Sequence, residues 1–143
     1  ALSNSVMFPK QTRFLLVADT QTILNLLVEH LRSMGYSHLD LAHDGQEALK
    51  KMKIADAKED PYGLIICDWN MPALTGIELL EIKNSDPRFK NTPFLMVTIE
   101  SEKDYVLKAI ALGVSEFIVK PFSEVTLRSK LASIYKSLQA NRS

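Results

Sequence analysis

Apolar positions along the chain follow two alternating rhythms. Five short runs rich in Ile, Val, Leu and Phe recur at fairly even intervals: Phe14 to Ala18, Leu39 to Ala42, Leu64 to Cys67, Phe94 to Thr98 and Glu116 to Val119. Each is too short for a buried helix and has the β-rich content of a strand. The stretches between them carry apolar residues at helical spacing. Residues 20–34 set Ile23, Leu27, Leu31 and Met34 on one face and stop at Gly35, a residue suited to a helix C-cap. Residues 44–58 open on Asp44-Gly45-Gln46-Glu47, which predicts a capping box, and turn Ala48, Leu49 and Met52 inward. Residues 74–85 bring Ile77, Leu79, Leu80 and Ile82. Residues 102–112 follow Ser101, with Asp104 three further on, and present Val106, Ala109 and Ile110. The last helix starts at Ser123 after Pro121, with Leu127, Leu131, Ile134 and Leu138 as its apolar stripe.

This alternation of strand and helix predicts an α/β fold, a five-stranded parallel sheet covered by helices on both faces. Right-handed crossovers make it doubly wound. In such sheets chemistry gathers beyond the carboxyl ends of the strands. At 143 residues the chain fits one domain.

Composition narrows the partners. Lys plus Arg and Asp plus Glu each number 17, so no net field draws the chain to nucleic acid or to a membrane. Cys67 is the only cysteine and has no internal disulfide partner, and no stretch reads as a transmembrane helix or signal peptide. A reducing cytoplasm is the expectation. The chain opens on Ala1, and residues 1–12 read as an N-terminal extension or cloning remnant, with Met7 a plausible native start.

The strand ends carry Asp19, Asp68, Thr98-Ile99-Glu100 and Lys120-Pro121. Mg²⁺ takes one or two carboxylates and keeps several waters, and Asp19 with Asp68 can supply those two. An oxyanion bound nearby meets the metal, Lys120 and the Thr98 hydroxyl. This is the equipment of phosphoryl transfer, with Asp68 as nucleophile. Singly, most of these residues have plainer explanations. Asp19 suits a helix N-cap, Lys120 a lysine snorkelling to solvent, and Thr98 an ordinary strand position. Asp68, followed by Trp69-Asn70-Met71-Pro72, has no helix to cap, and the joint placement favours a site. His30, His38 and His43 lack metal-ligand spacing.

The segments "LLVADT", "CDWNMPALTG", "MVTIES" and "FIVKPF", in this order, resemble the receiver domain of bacterial two-component response regulators, among these the chemotaxis regulators of the CheY type. The resemblance runs from about Arg13 to Leu138, which sets a receiver domain at 13–139 and a tail at 140–143. It implies a flavodoxin-like strand order 2-1-3-4-5 and phosphorylation of Asp68 by a sensor histidine kinase. It also implies Mg²⁺ held by Asp19, Asp68 and the backbone carbonyl of Asn70. Thr98 and Lys120 then attend the phosphoryl group, and Phe117 sits at the aromatic switch position. Lys120-Pro121 is implied to be cis, a form only proline adopts cheaply. Asn70 and Glu100 take the positions that tune dephosphorylation. Residues 102–139 become the output face, toward a downstream effector protein or an effector domain outside this chain.

Two departures stand out. Receivers commonly show an acidic pair after the first strand, where this chain has Ala18-Asp19, and an acid before the glycine that follows the phosphoacceptor loop, where it has Thr75-Gly76. Ala18 removes a carboxylate from the site and predicts weaker Mg²⁺ binding. It is also the best support for the alternative, a phosphorylation-independent pseudo-receiver acting as an interaction module. A haloacid dehalogenase type phosphatase shares the Asp nucleophile, but Asn70 stands where its general acid belongs, and an amide cannot replace that acid. A flavin site is disfavoured because the first strand-helix loop lacks a hydroxyl-rich phosphate cradle.

Overall fold

The computed structural model describes residues 7–71, 74–99 and 103–141. Its elements are β1 (Phe14–Val17), α1 (Gln21–Ser33), β2 (Leu39–Ala42), α2 (Gly45–Ala57), β3 (Leu64–Asp68), α3 (Gly76–Ser85), β4 (Phe94–Ile99), α4 (Lys103–Ala111), β5 (Glu116–Lys120) and α5 (Glu124–Asn141). The strands form one sheet in the order β2-β1-β3-β4-β5, every neighbouring pair parallel. The fold class and strand order expected from the sequence are both present. Ser101, expected to precede the fourth helix, lies outside the described residues.

Side chains alternate across each strand and build two cores. Leu16, Ile66, Val97 and Ile118 meet Leu24, Leu27 and Leu31 of α1 and Leu127, Leu131 and Ile134 of α5. Leu15, Val17, Cys67 and Met96 meet Ala48 and Met52 of α2, Ile77 and Leu80 of α3 and Ala109 of α4. Every residue of β1 and β3 is buried, as a strand covered on both faces requires. Phe8 is buried too, ring to ring with Phe14 and Tyr135, and its carbonyl accepts the Tyr36 hydroxyl at 2.8 Å. Packing therefore reaches back into the segment expected to be an extension.

Several local expectations change. The buried stripe of α1 runs through Leu24, with Ile23 only half-buried. In α4 only Ala109 among the expected inward residues is buried; Ile110 is 52% exposed and Leu107 65%. Among the described side chains of α4, Ala109 is the one buried in the core. At α2 the capping box is half made. Asp44 accepts the Glu47 N–H at 2.7 Å, but the Glu47 carboxylate reaches past Asp44 to the His43 N–H at 2.6 Å. The full reciprocal box caps α3 instead: Thr75 Oγ1 accepts from Glu78 N–H, and Glu78 Oε1 from Thr75 N–H. Thr75-x-x-Glu78 was the signal for it in the sequence.

Lys83 on α3 is buried without a carboxylate. Its ammonium donates to Asn84 Oδ1, Phe89 O and Lys90 O at 3.1, 3.2 and 3.0 Å. Burial pulls its pKa down from 10.5 to about 8. The native state thus sheds this proton before the unfolded chain does, so between those two values the unfolded chain binds more protons and stability from Lys83 rises with pH. Below about pH 8 the ammonium is charged in both states and its burial cost is felt in full. Urea unfolding of wild type and Lys83→Met across this window should show the wild type gaining on the variant. A constant difference would mean that Lys83 titrates normally.

Candidate functional site

The carboxyl ends of β1, β3, β4 and β5 bring the predicted residues to one edge of the sheet. β3 runs one residue further than its apolar pattern, so Asp68 is its last residue, paired with Val97. β5 likewise ends on Lys120, in register with Ile99, and Thr98 faces Val119. Asp68 is only 3% exposed. A carboxylate buried that deeply needs partners, and both oxygens have one: Oδ2 accepts from Lys120 Nζ at 3.0 Å and Oδ1 from the Asn70 N–H at 3.1 Å. The snorkelling reading of Lys120 is set aside, since its ammonium turns to Asp68. The Lys120-Pro121 peptide is cis, as the resemblance implied.

The loop after Asp68 is held close to the sheet. Trp69 N–H extends the ladder to Val97 O at 3.1 Å, and Gly76 N–H returns to Trp69 O at 3.0 Å. A Cβ on Gly76 would lie 2.5 Å from Trp69 Cα and 2.8 Å from Asp68 O. Only glycine permits this approach, which seats the N-terminus of α3 against the peptide carrying Asp68. The sequence reading noted Gly76 only as the glycine after Thr75 and gave it no role in the site; its fixed place after the loop was the available signal.

Asp19 is exposed, and the N-cap of α1 is Thr20, which makes no side-chain cap bond. The capping explanation therefore fails, and the Asp19 carboxylate is free to bind a cation from solvent. Its neighbour Ala18 is fully buried with Leu16 and Leu24, its N–H bonded to Ala42 O at 3.1 Å. The Thr98 hydroxyl is buried and donates to Ile99 O at 3.4 Å, not to Asp68. Phe117 is half-buried on β5, with Lys130 Nζ 5.2 Å from its ring centroid. Glu100 lies outside the described residues.

Among the described residues this edge carries the Asp68 carboxylate paired with the Lys120 ammonium, and the exposed Asp19 carboxylate. Among the described residues no cluster of three or more His, Cys, Asp or Glu side chains is placed to hold a metal. Two carboxylates, Asp19 and Asp68, stand after the ends of β1 and β3, a pair that suits a hard cation that keeps much of its water.

Residues 14–132 match the response regulator receiver domain family. Chemotaxis protein CheY-3 of Vibrio cholerae is 35% identical over 129 residues, which cover 90% of this chain and 95% of that protein. The crystal structure of V. cholerae CheY4, at 32% identity, superposes with a TM-score of 0.70 over 91% of this chain and 98% of that one. The receiver domain of a sensor histidine kinase from Pseudomonas aeruginosa, 22% identical with a TM-score of 0.75 over 88% and 98%, shares the fold, and holds magnesium in its own active-site cleft.

Proposed function

Because the chain belongs to the response regulator receiver domain family, we propose that it acts as a phosphoacceptor switch in two-component signalling, with Asp68 taking a phosphoryl group from a phosphohistidine of a sensor kinase. The observation that carries this reading is the buried Asp68 carboxylate joined to Lys120 at 3.0 Å at the end of the central strand. An Asp68 oxygen attacks phosphorus, the P–N bond breaks, and the histidine nitrogen leaves with its electron pair. The product is an acyl phosphate on β3, whose added negative charge Lys120 is already placed to meet.

Receiver domains generally bind Mg²⁺, and the donors here fit it: Asp19, Asp68 and the Asn70 carbonyl would hold the ion. When bound it supplies positive charge against the phosphoryl oxygens. The Thr98 hydroxyl gives up the Ile99 carbonyl for the phosphoryl group, and Phe117 turns inward as it moves. The charge event thereby biases a two-state surface over residues 102–139, which an effector protein or effector domain reads. A water attacking the acyl phosphate resets the switch, at a rate tuned by Asn70 and Glu100. The reaction is confined to the domain's own phosphorylation and dephosphorylation. The cytoplasm is the compartment that suits a kinase partner, and no helix among the described residues is long and apolar enough to cross a membrane.

Titration of Trp69 fluorescence with Mg²⁺ and beryllofluoride tests the reading. A saturable change is expected, because Trp69 adjoins Asp68. No change at saturating ligand favours the pseudo-receiver alternative, for which buried Ala18 is the supporting observation.

Ala18 lowers the metal affinity. Ala18 directly follows β1 and packs in the same core as Leu16, one residue beyond the Val17–Cys67 pair as Asp68 is on β3. Ala18→Asp should tighten Mg²⁺ binding several-fold, because a third carboxylate returns to the site. The same variant should lose stability without metal, because position 18 is fully buried. Unchanged Mg²⁺ affinity by the same titration would refute this account of Ala18.

A further inference from the structure

Phe117 sits on β5, an edge strand of the sheet. Its ring packs with the core on the α4 side, while α5 lies on the opposite face. Past that open edge Lys130 of α5 reaches the ring, its ammonium 5.2 Å from the centroid and its side chain 28% exposed. A neighbour fixes the ammonium there. Glu116 Oε1 accepts from Lys130 Nζ at 3.3 Å and from the Phe117 N–H at 3.1 Å, and Ser133 Oγ of α5 donates to Glu116 Oε2 at 3.5 Å. The carboxylate is thus tied both to the backbone of the switch residue and to α5.

We propose that Lys130 is a positioning residue that latches Phe117 in its present orientation and so sets the threshold of the switch; this rests on the phosphoacceptor reading above. A cation over an aromatic face is attracted by the ring quadrupole, the more so when partly desolvated. Turning the ring inward takes the face away from the ammonium, whereas the Lys130–Glu116 pair can persist. The attraction therefore favours only one of the two ring positions, which is the condition for shifting an equilibrium between them. The Thr98 hydroxyl, bonded to Ile99 O in this structure, belongs to the same resting arrangement.

Beryllofluoride affinity of the full chain with Mg²⁺, read from Trp69 fluorescence, tests the latch. Lys130→Met should bind about fivefold more tightly than wild type, because the resting state loses its cation–π contact. Lys130→Arg should stay within about twofold of wild type, since a guanidinium stacks on the ring as well. In a Phe117→Ala background Lys130→Met should change nothing. Equal affinities of Lys130→Met and wild type overturn the proposal, as does the same gain in the Phe117→Ala background. A second readout needs neither metal nor beryllofluoride. With 4-fluorophenylalanine at position 117, the ¹⁹F spectrum of Lys130→Met should show a larger inward population than wild type, and an unchanged spectrum overturns the latch. Failure of the phosphoacceptor reading itself looks different: wild type and Asp68→Asn then respond alike to beryllofluoride.

Discussion

Asp68→Asn should abolish phosphoryl uptake from a small phosphodonor and remove the beryllofluoride response of Trp69, while the far-ultraviolet circular dichroism should stay native. The fold survives because asparagine fills the same volume at the end of β3 and its side-chain oxygen still accepts from Lys120, although its NH2 cannot replace the oxygen that accepts the Asn70 N–H. The chemistry does not survive, because an amide oxygen cannot form the acyl phosphate. Loss of a nucleophile costs orders of magnitude in rate, here about 10³-fold or more, to background. Intact-mass spectrometry after incubation with the phosphodonor and Mg²⁺ checks it. Uptake by Asp68→Asn at the wild-type level would move the phosphorylation site elsewhere.

Gly76→Ala sets two effects against each other. Gly76 is the first residue of α3, where alanine improves helix propensity by about 1 kcal/mol. Its Cβ, however, would stand 2.5 Å from Trp69 Cα and 2.8 Å from Asp68 O, both backbone atoms that cannot rotate away. Overpacking of this kind costs about 3 kcal/mol, so the clash outweighs propensity and the net loss is about 2 kcal/mol. The strain falls on the peptides that place Asp68 and Asn70, so Mg²⁺ affinity should fall with stability. Urea unfolding and the Trp69 titration read the two effects. A variant within about 0.5 kcal/mol of wild type would show that the loop yields without cost.

Lys120 and Asp68 show what a sequence pattern can and cannot convey. Each was legible as a polar residue closing an apolar strand, and the motif order pointed to both. Their contact was not, because it joins residues 52 positions apart and depends on the register of β3 against β4 and β4 against β5. Asp19 illustrates the converse. Locally an N-cap was an equal explanation, and only the start of α1 at Gln21, with Thr20 in the N-cap position, leaves the carboxylate to solvent.

What the sequence determined by itself is therefore the alternation of strand and helix, the parallel sheet, and the residues at its carboxyl edge, because periodicity and turn chemistry are local properties. The tertiary structure decided which side chains those residues meet. It tied Asp68 to Lys120, seated Gly76 on the Asp68 peptide, turned Ile110 and Leu107 of α4 outward, buried Ala18 and set Lys130 over Phe117. Each of these follows from strand register and helix rotation, which are settled by the packing of the whole sheet.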